Sequence, residues 1–334
     1  MTVETLQTDT PELFRSAVKR AAELLRAGGV VALPTETVYG LAANALDPKA
    51  VAAIYNIKGR PAHNPIIVHV TDVRMAMRCV EAWPAPAAKL AATFWPGPLT
   101  LVLPRSKAIP DIVTAGGPTV GVRCPSHPLI RAVIRECGFP LAAPSANPSN
   151  RVSPTTAAHV RNQLGKTIAC IVDGGSSHVG IESTVLDLTV QPPRILRPGV
   201  IGEAALAAVI GPVQSGAQSG GALKSPGLLA RHYAPRAKLA VLTWRDDADL
   251  KSQISNLKSQ MSTCHVIAHT RVPSPEGFGR VSLVPPDPEA FARALYAELH
   301  RCDDEGAGCI VVEAPPESHE WTAIRDRLRR AGAK

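Results

Sequence analysis

The segment Val30-Val31-Ala32-Leu33-Pro34-Thr35-Glu36-Thr37-Val38-Tyr39-Gly40-Leu41 is the most informative in the chain. Its first four residues are a short apolar run closed by Pro34, which reads as a buried strand delivering Thr35, Glu36 and Thr37 into a loop. Such C-terminal strand ends are where open α/β sheets place their ligands. Upstream, Thr10 followed by Pro11-Glu12 starts a helix and Gly28-Gly29 stops it, so the spacing predicts a helix over 11–27. Downstream, Asp47-Pro48 caps a helix to about Ile57, residues 65–70 (Pro-Ile-Ile-Val-His-Val) read as a second buried strand, and Ala-rich helices follow over 72–81 and 85–94.

The alternation continues. Residues 100–103 and 119–123 read as strands, 128–137 as a helix ended by Gly138, and 141–143 as a strand running into Pro144-Ser145-Ala146-Asn147, with Ser153-Pro154 starting the next helix. Strands near 168–173, 183–188 and 194–196 and a helix over 202–210 complete a first α/β domain, 1–210. The Gly/Ser/Gln-rich composition of 211–224 is that of a flexible linker, taken to extend over 211–236. Strands at 239–243, 265–268 and 309–313, alternating with helices at 247–260, 288–301 and 318–330, make 237–334 a small α/β domain. It holds neither G-x-G-x-x-G nor a Walker A motif.

Composition agrees with two packed domains. The 334 residues are 45% hydrophobic and 19% charged, which excludes the disordered class. The start Met1-Thr2-Val3-Glu4-Thr5 has neither a basic nor an apolar region of a signal peptide, and no window approaches a membrane span, so no membrane role is expected. Seven scattered cysteines with no C-x-x-C pair fit a reducing cytoplasm rather than a disulfide framework or a thiolate zinc site, and no metal-ligand set is assigned. A net charge of +8 favours anionic partners, and aromatics at 4% give little for base stacking.

Three sets of residues carry chemistry. Lys58-Gly59-Arg60-Pro61, with Asn64 and Pro65 behind it, can clamp an anion, Arg60 bidentately and Lys58 as a point charge; the same tetrapeptide alone is also a solvated basic helix end. Ser145, Asn147, Ser149, Asn150, Ser153 and Thr155 form either an anion site at a helix N-terminus or ordinary capping and turn chemistry. Thr35, Thr37, Thr119, Arg123, Ser183 and Arg197 recur at successive strand ends. His69 is a core histidine or a ligand contact, without a metal-spaced partner, and no spacing joins Glu36 to Glu182 as an acid/base pair.

Pro34 to Leu41, Lys58-Gly59-Arg60-Pro61-x-x-Asn64-Pro65, Pro144-Ser145-Ala146-Asn147, and Ser225-Pro226-Gly227 with Arg231-His232-Tyr233-Ala234-Pro235 together resemble the YrdC-like threonylcarbamoyl-AMP synthases in their longer, two-domain form. The resemblance implies a twisted, open mixed sheet with flanking helices and a small Rossmann-like C-terminal domain. It implies a nucleotidyltransferase: L-threonine and bicarbonate give N-carboxythreonine, whose carboxylate attacks the α-phosphate of ATP to yield threonylcarbamoyl-AMP and pyrophosphate. A separate transferase complex then passes the group to adenosine in tRNA. It places Arg60, Asn64, Thr119, Ser145, Ser153, Arg197 and Tyr233 on ATP. It places Thr37, His69, Arg123, the backbone at Ala143 and Ser183 around threonine.

That chemistry needs cations. Two unit charges about 4 Å apart repel by about 4 kcal/mol at an effective dielectric of about 20, roughly a thousandfold in rate. Mg²⁺ brought with ATP, together with Lys58, Arg60, Arg123 and Arg197, would supply them, Lys58 and Arg60 being the catalytic pair. Tyr233, on the linker, would help close the site against water. The chain departs from the family pattern at Leu228-Leu229-Ala230, where a Met and a basic residue are common, and at Asn150, where Gly is usual; Asn tolerates a left-handed backbone well. The competing readings are a non-catalytic RNA-binding protein of the same fold, with weak tRNA or double-stranded RNA binding, and a hydrogenase-maturation carbamoyltransferase, whose extra segments this chain lacks.

Overall fold

The computed structural model describes residues 3–216, 223–227 and 231–333. The chain divides into two compact units, Met1–Ser149 with Ser153–Leu228, and Asn150–Val152 with Leu229–Lys334.

In the first unit the strands are β1 (Glu4–Leu6), β2 (Val31–Leu33), β3 (Gly40–Asn44), β4 (Val68–His69), β5 (Leu99–Pro104), β6 (Thr119–Arg123), β7 (Leu141–Ala142), β8 (Cys170–Val172), β9 (Thr184–Asp187), β10 (Arg194–Arg197) and β11 (Gln214–Ser215). They form one mixed sheet in the order β1-β8-β2-β3-β7-β4-β6-β5-β9-β10-β11. The helices are α1 (Pro11–Arg26), α2 (Pro48–Lys58), α3 (Val73–Cys79), α4 (Ala85–Phe94), α5 (Pro128–Cys137), α6 (Ala157–Leu164) and α7 (Glu203–Ile210). Strand periodicity sorts side chains between two cores: Val31 and Leu33 pack with Leu25 of α1 and Leu129 and Val133 of α5, while Ala32, Leu41 and Ala43 face Val51 and Ile54 of α2.

The helix ends obey local chemistry. Thr10 and Asp47 accept backbone N–H bonds at the starts of α1 and α2, and Gly59 and Gly138 take left-handed conformations at the ends of α2 and α5. One expected start is corrected: α6 begins at Ala157 with Thr156 as its cap, so Ser153-Pro154 does not open it. The strand read over 65–70 contracts to Val68–His69, and β3, β1 and β11 were not anticipated. β11 falls within the stretch read as linker, and Lys224 Nζ is bound to Asp187 Oδ2 at 2.8 Å and Thr189 Oγ1 at 2.9 Å. Residues 217–222 and the departure at Leu228-Leu229-Ala230 lie outside the described residues.

The second unit is a parallel sheet, β12 (Lys238–Leu242), β13 (Cys264–Ala268), β14 (Arg280–Leu283) and β15 (Cys309–Glu313) in the order β12-β15-β13-β14. α8 (Asp247–Asn256), α9 (Pro288–Asp304) and α10 (Thr322–Ala331) accompany it. Parallel strands covered by helices read as continuous apolar runs, as 264–268 and 309–313 do; β14, half-exposed at the edge, does not. Tyr233 is buried here with φ +60°, its ring 6.0 Å from that of Tyr296 and 5.1 Å beneath the Arg327 guanidinium. Asn150 adopts φ +66°, the left-handed conformation expected of it, and its carbonyl accepts from Ala234 N–H at 2.9 Å.

Candidate active site

The strand order brings distant segments to one end of the sheet. β4 runs parallel to β6 with His69 beside Arg123, and antiparallel to β7 with His69 beside Leu141. The loop after β2 is tied in by Tyr39, whose N–H donates to the Pro154 carbonyl, whose own carbonyl accepts from Ala146 N–H, and whose hydroxyl donates to the Gly175 carbonyl at 2.7 Å.

Thr37, Glu36, His69 and Arg123 make the first cluster. Arg123 Nη1 donates to Thr37 Oγ1 at 3.0 Å, and Thr37 Oγ1 lies 2.9 Å from Thr35 Oγ1. Arg123 Nη2 stands 2.8 Å from Glu36 Oε1, an ion pair in which the side chains are 5% and 2% exposed, close in distance but without hydrogen-bond alignment. Burial alone would raise the Glu36 carboxyl; the Arg123 charge beside it outweighs this and holds the pKa below the ordinary value. Burial, reinforced by Arg123, pushes His69 down to about 3, so its ring is neutral, and its buried Nδ1 has no hydrogen-bond partner. The sheet thus presents a guanidinium, a hydroxyl and a neutral imidazole, a set that suits the carboxylate and hydroxyl of a small amino acid. Ala143 N–H is committed to the Ile67 carbonyl at 3.1 Å, so what its backbone can offer there is the carbonyl.

Lys58 and Arg60 form the second cluster, and burial removes the reading of a solvated helix end, since they are 3% and 8% exposed. The left-handed Gly59 turns the chain so that Arg60 folds back: Nε donates to the Asn64 carbonyl at 2.9 Å, and Nη2 to Asn64 Oδ1 at 2.8 Å and the Pro65 carbonyl at 2.6 Å. Asn64 is fully buried and its Nδ2 has no partner, which leaves an amide donor beside a fixed guanidinium. Lys58 Nζ donates to the carbonyls of Ser145 (2.6 Å) and Asn147, and Ser149 N–H donates to the Lys58 carbonyl at 2.7 Å. Lysine is therefore both the local charge and the tie that shapes the Ser145–Asn147 turn. Burial, then the neighbouring Arg60, lowers its pKa well below the ordinary lysine value.

Ser183 and Arg197 form the third. Arg197 Nε donates to the Ser183 carbonyl and Nη2 to Ser183 Oγ, both at 3.1 Å, while Ser183 Oγ lies 2.9 Å from Thr100 Oγ1. Ser153 Oγ donates to Glu182 Oε1 at 2.6 Å. Glu36 and Glu182 are thus not a carboxylate pair: one faces Arg123, the other Ser153. Thr119 stands at the opposite end of β6 from Arg123, on the same strand face with Gly121 between them, about 13 Å away at strand rise. Thr100 and the partners of both glutamates were not foreseen from sequence; Thr100 lies inside a plain apolar run. Tyr233 belongs to the second unit.

Among the described residues no group of three or more His, Cys, Asp or Glu side chains is gathered as a metal cage. No described helix is long and apolar enough to cross a membrane.

Two family models match the chain: one described as telomere recombination, taking in Sua5, YciO and YrdC proteins, over residues 23–199, and the C-terminal domain of threonylcarbamoyl-AMP synthase over 201–333. The chain is 40% identical to the threonylcarbamoyl-AMP synthase of Pyrococcus abyssi over 94% of its length and 93% of the relative's. It is 40% identical to the threonylcarbamoyl-AMP synthase of Bacillus subtilis, covering 98% and 94%. Among solved structures, P. abyssi Sua5 complexed with L-threonine superposes with a TM-score of 0.89 at 36% identity, covering 99% of this chain and 98% of that one. Escherichia coli YciO gives 0.53 at 26% identity over 60% of this chain and 97% of its own.

Proposed function

Because the chain belongs to the threonylcarbamoyl-AMP synthase family in its two-domain form, we propose that it joins L-threonine, bicarbonate and ATP into threonylcarbamoyl-AMP and pyrophosphate through the three clusters described above. The observation that carries this reading is the meeting of Thr37, His69 and Arg123, drawn from three strand ends, around a buried Glu36. Arg123 takes the threonine carboxylate bidentately, with Thr37, Ser183 and the Ala143 carbonyl around the rest of the amino acid and the neutral His69 ring as a hydrogen-bond partner. The threonine amine and bicarbonate condense with loss of water to a carbamate. Its oxygen then attacks the α-phosphorus of ATP, and the bond to the β-phosphate oxygen breaks, releasing pyrophosphate.

No covalent nucleophile of the protein takes part; catalysis is positioning and charge. Lys58 and Arg60 neutralise the charge that builds on the phosphates, Asn64 Nδ2 and Ser145 hold oxygens, and Arg197, fixed through Ser183, links the two substrates. Thr119 and Ser153 complete the ATP set of the first unit. Magnesium is proposed to enter on the phosphates of ATP as part of the substrate, because no carboxylate cage is gathered among the described residues, and no step is derived through it.

The product carries an activated carbamoyl group, consistent with consumption by a separate transferase complex that modifies tRNA. The +8 charge would allow weak contact with tRNA or other RNA. Seven free, buried thiols support a cytoplasmic setting. The test is pyrophosphate release from ATP with Mg²⁺ and bicarbonate, with and without L-threonine, and mass detection of the adenylate. Threonine-dependent release with the adenylate present is expected. Folded protein showing no threonine dependence would overturn the synthase reading in favour of RNA binding.

A further inference from the structure

Thr100 is the one polar side chain of β5, set between Leu99 and Leu101, and it is fully buried. The sheet sorts its two γ substituents. Cγ2 lies over the bare Gly121 of β6, where an added Cβ would stand 3.2 Å from it, with Ile67 and Val102 alongside; Oγ1 lies 2.9 Å from Ser183 Oγ, just before β9. A β-branched side chain is stiff at χ1, so the seat of the methyl fixes where the hydroxyl points. Ser183 is the only hydrogen-bond partner of that hydroxyl among the described residues. Ser183 Oγ in turn accepts from Arg197 Nη2 at 3.1 Å, and a guanidinium only donates. The two hydroxyls therefore carry two protons and share one bond, so one proton has no acceptor among the described residues. Were Ser183 to donate, that proton would sit on Thr100, buried in apolar company; with Thr100 donating, it sits on Ser183, at the Arg197 end. A donor sealed among apolar groups is the costlier one to leave unpaired, which favours Thr100 as the donor.

We infer that Thr100 is a positioning residue for the amino-acid substrate. By donating to Ser183 Oγ it fills, together with Arg197, both lone pairs of the serine and leaves the Ser183 proton as the group offered to the ligand. Ser183 is then a donor: it meets an oxygen of threonine, on the carboxylate or the side chain, and not the ammonium group, which would find no lone pair there. The inference rests on the reading of Ser183 as a threonine contact and extends it to a residue that acts only through that serine. It also gives Gly121 a purpose, since a Cβ at that position would crowd Thr100 Cγ2 and disturb the aim of Oγ1.

The experiment measures initial rates of threonine-dependent pyrophosphate release in the wild-type chain, Thr100→Val, Thr100→Ser, Ser183→Ala and the Thr100→Val, Ser183→Ala double variant. Thr100→Val keeps the branched shape and deletes the hydroxyl, so the KM for threonine should rise about 3- to 10-fold, with the KM for ATP changed by less than about twofold and kcat nearly kept. Thr100→Ser keeps the donor and should hold the threonine KM within about twofold of wild type. In the double variant the threonine KM should match that of Ser183→Ala within about twofold, because the Thr100 hydroxyl then has nothing to act through. Thr100→Cys, whose thiol is a weak donor, should give an intermediate rise, and it answers the question even if Thr100→Val folds poorly. A threonine KM unchanged in Thr100→Val and Thr100→Cys overturns the inference. So do single effects that multiply in the double variant, a Thr100→Ser as impaired as Thr100→Val, or an ATP KM that rises as much as that for threonine. A wild type that makes no threonylcarbamoyl-AMP at all refutes the proposed function instead, and this inference with it.

Discussion

Glu36→Gln leaves a buried guanidinium facing a neutral amide. At the 2.8 Å separation of Arg123 Nη2 and Glu36 Oε1, unit charges attract by about 6 kcal/mol at an effective dielectric of about 20, and delocalisation over the two planar groups brings this to about 4 kcal/mol. Removing one partner of such a pair costs about 3–5 kcal/mol, whereas removing both costs far less. A cycle of Glu36→Gln, Arg123→Met and the double variant should therefore return a coupling of about 3 kcal/mol or more, with the double variant more stable than either single one. The readout is urea unfolding of the first unit through Trp83 and Trp95, in a background where Trp244 and Trp321 are Phe, so that the second unit's transition does not enter. The pH dependence has a definite sign. Glu36 has its pKa lowered in the folded state, so its contribution is complete above the unfolded value near about 4.3 and is lost as pH falls through the folded value. Wild-type and Glu36→Gln stabilities should converge in that acid range. A coupling below about 1 kcal/mol, or curves that stay parallel in acid, would refute the reasoning.

Lys58→Met should lower turnover roughly a thousandfold by removing a charge worth about 4 kcal/mol at the transferring phosphate, read in the pyrophosphate assay; a loss under tenfold would make Lys58 a purely structural tie. Ser183→Ala deletes one bond to Arg197 as well as the proposed threonine contact, so the KM for threonine should rise about tenfold and that for ATP by less, with kcat nearly kept, as initial rates would show. His69, pushed down to about 3, is neutral when folded but protonates when unfolded below about pH 6.5, so the unfolded state binds more protons and stability falls as pH drops. Between pH 6.5 and 5 the wild type should lose about 2 kcal/mol relative to His69→Asn in urea titrations; equal slopes would show that the ring is not held neutral. Arg327→Leu should destabilise the second unit by about 2 kcal/mol, since the Tyr233 ring loses its cation while Asp326 keeps Arg329 and Arg330; hydrogen exchange in the β12–β15 sheet, or its failure to change, decides this.

What could be read in advance divides along physical lines. α1, α2 and α5 were legible because their ends are written in local chemistry: Thr10 and Asp47 as caps, Gly59 and Gly138 as left-handed stops. β3, Gly-Leu-Ala-Ala-Asn, has no β-branched residue; it is extended because β2 and β7 pair with it on either side, a tertiary effect. Ser153-Pro154 imitates a helix start, but its hydroxyl is taken by Glu182, a residue no local rule connects to it. The site shows the same division. Thr37, His69, Arg123 and Ser183 stand at strand ends and could be picked out individually, while the pairing of Glu36 with Arg123 crosses the sheet and carries no periodic signal.

The order of strands also has a consequence during synthesis. β1 is paired only through β8, with Glu4 opposite Cys170, so 170 − 4 = 166 residues separate the first strand from its partner. β8 is also the neighbour on which β2 closes, and β2 is the strand that launches the Thr35–Thr37 loop. At ribosomal rates of about 5–20 residues per second, a nascent chain therefore holds the foundation of that loop with one edge bare for about 10–30 s. An unpaired, apolar strand edge invites association with other chains, so the emerging first unit is a natural client for a ribosome-bound chaperone until residue 172 has cleared the exit tunnel.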